Sequence, residues 1–255
     1  MDEQKPTIGV TIGDAAGIGP EITLKALLDP GLRTACRCTL IGDLAYLRML
    51  AEKLGVDIDS LGVQIFDLKN LVSEFSIGVD AAETGKASAE NIEAAVKLWR
   101  EKKVDAICTA PISKKAIHLG GYDFPGHTEM LAELTDTTEF AMSFFAEKLR
   151  VVLLSTHLSL TNAIEMVKTD RLVELIRFSA QELRKLLGRD VSIAVAGLNP
   201  HASEGGIFGT EERDEIIPAV KKCRELGINV TGPYSPDTIF LRGYKGDFDG
   251  VIAQL

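Results

Sequence analysis

Four histidines hold most of the chemistry that this chain's residue types offer, and three of them keep unusual company. His157, in LLSTHLSL, follows an apolar run. His201, in GLNPHASEGGIFGTEE, follows another such run and opens a glycine-rich loop. His127, in FPGHTEM, stands where a Gly-Pro turn enters a helix. If the two runs are neighbouring parallel strands, His157 and His201 leave the sheet at the same edge. Two imidazoles at one edge are good ligands for a divalent metal such as zinc. A catalytic site takes three protein ligands and keeps one position open, and only two are evident here. Taken singly, each is an ordinary loop histidine; their joint placement beside NP and GG turns argues for a shared role. His118, in KKAIHLGG, reads as structural or surface.

Other polar residues cluster at comparable places. Thr128 puts a hydroxyl at a helix start, suited to a carboxylate or phosphate. Lys114 in TAPISKK follows a strand and is a candidate anchor for an anionic substrate, although a solvated charge at a helix terminus is commoner. Asp237 in GPYSPDTIF lies in a proline turn, placed either to orient a ligand or to cap the turn. Near the start, GDAAGIGPE joins a strand to a helix through Gly13, Asp14, Gly17 and Gly19. It fails the P-loop pattern, because no Lys-Ser follows. It fails the dinucleotide pattern, because Ile22 stands where the third glycine belongs. A helix N-terminus with free N–H groups remains, which attracts anions. Asp14 discourages a bare phosphate there, and a tight turn that needs glycine for geometry alone explains the loop equally well.

The elements that must position these residues alternate. TIGVTI, CTLIG, VQIFD and AICTA read as strands, the last of them buried. Helices are expected from Pro20 to about Leu28, across DLAYLRMLAEKLG to Gly55, and across SAENIEAAVKLWREKKV with Ser88 as its cap. A second series holds FAMSFFA, RVVLLST, SIAVAGL and FDGVIAQL as strands. Its helices are a long one closed by Gly188 and another over GTEERDEIIPAVKKCRELG. The expected fold is α/β, with mostly parallel sheets and sites at the strands' C-terminal ends. The Gly/Pro loop GGYDFPGHT divides it into residues 1–123 and 124–255.

Composition narrows the class. With 28 basic and 37 acidic residues the net charge is −9, which argues against a nucleic-acid surface. No apolar run approaches the roughly 20 residues of a membrane span. The opening MDEQKPT is polar and acidic, unlike a secretory leader. Cys36 and Cys38 alternate in a strand-like run and so share one face, with no second pair to complete a metal site. Buried reduced thiols and a cytoplasmic protein are expected.

In order, GDAAGIGPEI, TAPISK, GHTEML, STHLSL, GLNPHASEGGIFGTEE and GPYSPDTIF resemble the 4-hydroxythreonine-4-phosphate dehydrogenase family. That family includes the 4-phospho-threonate and 4-phospho-erythronate dehydrogenases. The glycine loop is also similar to the GDGIGPE loop of isocitrate and isopropylmalate dehydrogenases, which have two α/β/α domains around a cleft and work as dimers. The resemblance implies that His157 and His201 are two of three metal ligands and that His127 and Thr128 bind substrate. Asp237 and Lys114 stay candidates, from their own contexts, for orienting a ligand or contacting an anion, and the glycine loop reads as the cofactor side of the cleft. The resemblance further implies a homodimer, NAD or NADP, and a divalent metal (zinc, or magnesium, cobalt or manganese). The implied reaction oxidises the C3 hydroxyl of a 4-phosphorylated four-carbon hydroxy acid, and the 3-oxo acid then loses carbon dioxide. With 4-phosphohydroxy-L-threonine as substrate, this belongs to pyridoxal phosphate (vitamin B6) biosynthesis.

The family's third metal-ligand histidine follows a strand that matches FDGVIAQL, where this chain stops. A truncated chain is therefore expected, with its last sheet face uncovered and weaker metal binding than an intact site. Three alternatives stay open: a sugar-acid substrate of the phospho-threonate or erythronate kind, a catalytically silent phospho-ligand-binding protein, and a metal-dependent phosphate-ester hydrolase. The hydrolase is disfavoured by the lack of clustered carboxylates.

Overall fold

A computed structural model describes residues 5–71 and 74–255; the Met1–Gln4 part of the polar opening lies outside them. The chain divides into two units, Met1–Thr138 and Glu139–Leu255.

In the first unit, β1 (Thr7–Thr11), β2 (Arg37–Gly42), β3 (Gln64–Asp67) and β4 (Ala106–Thr109) form one parallel sheet in the order β3-β2-β1-β4. Val10 lies opposite Leu40 on one side and Cys108 on the other. Helices α1 (Gly19–Ala26) and α3 (Leu44–Leu54) cover one face, where Ile12, Leu24, Leu40 and Leu47 are buried together; α2 (Pro30–Ala35) precedes β2. Asp43 caps α3 by accepting from Tyr46 N at 2.9 Å, and left-handed Gly55 ends it. The other face is covered by α4 (Ala82–Arg100), which packs Ala94, Ala95 and Leu98 on Ile41.

Two sequence expectations change here. Helix α4 starts at Ala82, so Ser88 is not its cap; it is buried in the helix, where its Oγ donates to Gly85 O. Strand β4 is an edge strand with alternate residues exposed, because among the described residues only β1 pairs with it, so AICTA is not a buried strand. Cys36 and Cys38 do share a face, with their sulfurs 3.8 Å apart.

The expected division after residue 123 moves to 138. After α5 (Lys114–Leu119), helix α6 (His127–Leu134) buries Met130 against Ala89 and Ile92 of α4, and this apolar contact holds residues 124–138 to the first unit.

The second unit's sheet has the order β5-β6-β9-β7-β8. Strand β5 (Ser143–Ala146) pairs antiparallel with β6 (Leu149–Leu153). Strands β6, β9 (Gly250–Ala253), β7 (Ile193–Ala196) and β8 (Val230–Tyr234) run parallel. Helices α7 (Leu160–Glu165) and α8 (Thr169–Leu187) follow β6. A π-helical turn, Glu212–Ile216, leads into α9 (Ile217–Glu225). Ile176 and Leu183 of α8 and Val220 of α9 pack on Ile193 and Ile252. On the opposite face, Ile239 of α10 (Pro236–Lys245) packs on Ala194 and Val251. The last strand therefore leaves no face uncovered: it sits between β6 and β7, all four of its residues are buried, and helices already in the chain cover both sides.

Candidate functional site

The histidines of the second unit leave its sheet as expected at the C-terminal edge, but their strands are not neighbours. Strand β9 lies between β6, which leads to His157, and β7, which leads to His201. Side chains tie the three strand exits together. Ser155 Oγ donates to Gln254 O at 2.9 Å, and Gln254 Nε2 donates to Ala196 O at 2.8 Å. Both residues are buried, and Gln254 Oε1 has no partner among the described residues.

Both imidazoles are exposed, and both residues adopt left-handed backbone, with φ +57° at His157 and +54° at His201. Non-glycine residues rarely take this conformation unless the surroundings impose it. His201 Nδ1 lies 3.3 Å from Asp237 Oδ2, which also accepts from Ser235 Oγ at 2.8 Å. Asp237 is not in a proline turn; it lies in the first turn of α10, whose second residue it is. Both side chains are exposed, so this is a surface contact beside the ring. Imidazoles are donors that a divalent metal accepts, and His157 and His201 are the residues that could hold one. Among the described residues no group of three His, Cys, Asp or Glu gathers into a metal cage.

The loop before His201 is held by Glu212, the first residue of the π-helical turn and 2% exposed. Its Oε1 accepts from Leu198 N at 2.8 Å and Asn199 N at 2.7 Å; its Oε2 accepts from Asn199 Nδ2 at 2.8 Å. Burial works to raise the carboxyl's pKa, but these hydrogen bonds outweigh it and hold the group below the usual glutamate range.

In the first unit, His127 is the first residue of α6, behind extended Gly126, and half-buried Thr128 is the second. Burial lowers the His127 pKa, partly opposed by a hydrogen bond with the Ala110 backbone. Its Nε2 is buried with no partner among the described residues. Lys114 opens α5, and its Cε lies 3.7 Å from where a Cβ on Gly126 would stand, beside the start of α6. The first unit thus brings Lys114, His127 and Thr128 into one neighbourhood.

The glycine loop is a tight turn in which three N–H groups are used internally. Asp14 N donates to Pro111 O, Ala16 N to Asp14 Oδ1, and Gly17 N to Asp14 O, while Tyr46 Oη donates to Ala15 O at 2.7 Å. Gly13 has φ +70°, and a Cβ there would collide with Pro111 O; one on Gly19 would collide with Ile12 O. Glycine is required at Gly13 for close approach to the loop after β4, and at Gly19 for close approach to the end of the β1 segment. Gly17 has ordinary space. The loop borders a depression of about 250 Å³, which Gly78–Asp80 and Pro111–Ser113 also line.

Sequence reasoning found the histidines but missed Ser155, Asn199, Glu212 and Gln254. The doublet in GTEE was visible, but nothing in its spacing showed that one carboxylate would turn inward.

Residues 34–255 match the family model described as pyridoxal phosphate biosynthetic protein PdxA. The chain is 41% identical to D-threonate 4-phosphate dehydrogenase of Cupriavidus necator, an alignment covering all of this chain and 80% of that protein. Among solved structures, 4-hydroxythreonine-4-phosphate dehydrogenase from Klebsiella pneumoniae superposes with TM-score 0.89 at 37% identity, over 98% of this chain and 81% of that one. The corresponding enzyme from Burkholderia phymatum gives 0.87 at 38%, over 99% and 81%. The strand-edge histidines thus stand on a shared fold with shared sequence along nearly its whole length, and the chain belongs to the PdxA family of dehydrogenases, oxidoreductases acting on a CH–OH group.

Proposed function

We propose that this protein oxidises the C3 hydroxyl of a 4-phosphorylated four-carbon hydroxy acid, with NAD or NADP as hydride acceptor, and that the 3-oxo acid formed loses carbon dioxide. The observation that carries the reading is the edge of the second sheet, where the strands that lead to His157 and His201 flank the central strand and Asp237 lies beside His201. A divalent metal bound there would lower the hydroxyl's pKa and polarise the carbonyl that it becomes. The chain's own residues then have definable tasks. Asp237 places a carboxylate beside the His201 ring. His127, kept neutral by burial, offers its free Nε2 to a substrate hydroxyl. Thr128 supplies a hydroxyl, and Lys114 a positive charge for a carboxylate or phosphate.

Three N–H groups of the glycine loop, of Asp14, Ala16 and Gly17, are engaged within the protein. The nicotinamide cofactor is supported by the relatives being named dehydrogenases. The glycine loop is assigned to the cofactor side as a shaping wall. A homodimer in the cytoplasm completes the reading.

The substrate favoured is 4-phospho-D-threonate, since the Cupriavidus necator relative acts on D-threonate 4-phosphate. The second reading, 4-phosphohydroxy-L-threonine in vitamin B6 biosynthesis, is favoured by the names of the two solved structures and of the family. Incubating the chain with each substrate, NAD or NADP, and zinc, magnesium, cobalt or manganese tests both. Reduced nicotinamide is expected, with the larger kcat/KM on 4-phospho-D-threonate. Ligand binding without reduction would replace the proposal with a silent phospho-ligand-binding protein; phosphate release without cofactor would replace it with a hydrolase.

A further inference from the structure

His201 does not stand on an ordinary loop. Residues His201, Ala202, Ser203 and Glu204 take φ values of 54°, 54°, 59° and 44°, a full left-handed turn without glycine. The Cβ of an L-residue meets the carbonyl oxygen in this conformation, so the turn does not persist unaided. Its C-terminal side closes on Ser203 O, which accepts from Gly206 N and Ile207 N at 2.9 Å. Its N-terminal side, Leu198 and Asn199, is held by Glu212, whose two oxygens take two backbone N–H groups and the Asn199 amide. The site is packed closely: a Cβ on Gly197 would lie 2.9 Å from Ala202 Cα and 3.1 Å from Glu212 Oε1. Glu212 itself opens a π-helical turn, a distortion that sets it apart from the regular helix α9.

We infer that Glu212 is a positioning residue: its buried carboxylate locks the left-handed turn that presents His201, and so sets the affinity of the His157–His201 edge for a divalent metal. This rests on the metal reading of that edge given above. A carboxylate suits the task because it accepts on both oxygens at once. Glutamine keeps the shape but replaces one acceptor with a donor that faces other donors. Glu215, on the same π-helical turn, provides a built-in comparison. It accepts from Thr169 N at 2.7 Å and so caps α8, away from the His201 turn.

The test titrates the purified chain with Co²⁺, reading its visible absorption, alongside circular dichroism and melting. Wild type is expected to bind and His201→Ala to lose binding. Glu212→Gln should fold and bind about 10- to 100-fold more weakly, with an altered Co²⁺ spectrum. Glu215→Gln should lower the melting temperature but leave Co²⁺ affinity at the wild-type value. If Glu212→Gln fails to fold, Asn199→Ala carries the test, with a smaller weakening in the same direction. Wild-type affinity and spectrum in a folded Glu212→Gln, or in Asn199→Ala where that variant stands in, would overturn the positioning role. Equal weakening in Glu215→Gln would reduce it to general destabilisation and overturn it as well. An unchanged affinity in His201→Ala, or no binding by wild type, would instead remove the metal reading on which the role depends.

Discussion

At the scale of single residues, burial and partners decide function more than residue type does. His118 and His127 are both histidines on short helices. The first is solvated beside Asp123; the second is half-buried with an unpartnered nitrogen. Burial disfavours the imidazolium, so His127 titrates below its ordinary 6.5 in the folded protein. A proton titration of the histidine ring resonances by NMR should place its midpoint below that value. The linkage has a sign: between the folded midpoint and 6.5 the unfolded chain holds more protons, so stability falls as pH falls through that window. A midpoint at or above 6.5 would remove the case for a neutral His127.

At the scale of elements, the glycine loop separates geometry from ligand binding. Gly13 is left-handed and faces the Pro111 carbonyl, whereas Gly17 has room for a Cβ at ordinary contact, 3.4 Å from Asp14 O. Gly13→Ala should cost about 2 kcal/mol or more, from strain plus a backbone collision. Gly17→Ala should stay within about 1 kcal/mol. Urea unfolding of the two variants gives the comparison, and equal losses would mean that the loop's constraint is not steric. The pattern GDAAGIGPE was legible as a strand–turn–helix joint. That Asp14 N would be bonded to Pro111 O was not, because this acceptor lies far along the chain.

At the scale of the whole molecule, buried carboxylates set the acid limit. Glu212 and Asp249 both titrate below their ordinary values. Burial opposes this in each, and hydrogen bonds outweigh it: from Asn199 and Leu198 for Glu212, and from Arg189 and Ser192 for Asp249. Their contribution is complete above the unfolded values, 4.5 for Glu212 and 3.8 for Asp249, and is lost as pH falls through the lower folded ones. Unfolding midpoints followed by circular dichroism should therefore fall increasingly steeply below about pH 4.5, and Glu212→Gln should flatten that fall. An acid profile identical to wild type would show that Glu212 is not held as a buried anion.

The sequence by itself determined most of the strands and the long helices, though not β8 or α10, together with the alternation that makes two mostly parallel α/β units and the histidines at strand exits. These are local signals: apolar periodicity, helix caps and glycine stops, as at Asp43, Gly55 and Gly188. It misjudged the unit boundary, the role of Ser88 and the cover of the last strand, each settled by partners distant in sequence. Only the tertiary structure decided that β9 inserts between β6 and β7, so that Gln254 and Ser155 tie the edge bearing both histidines. Only it turned Glu212 inward to hold a left-handed turn beneath His201. Strand order and the burial of one charge come from contacts between residues far apart in the chain, and no spacing within a short window encodes them.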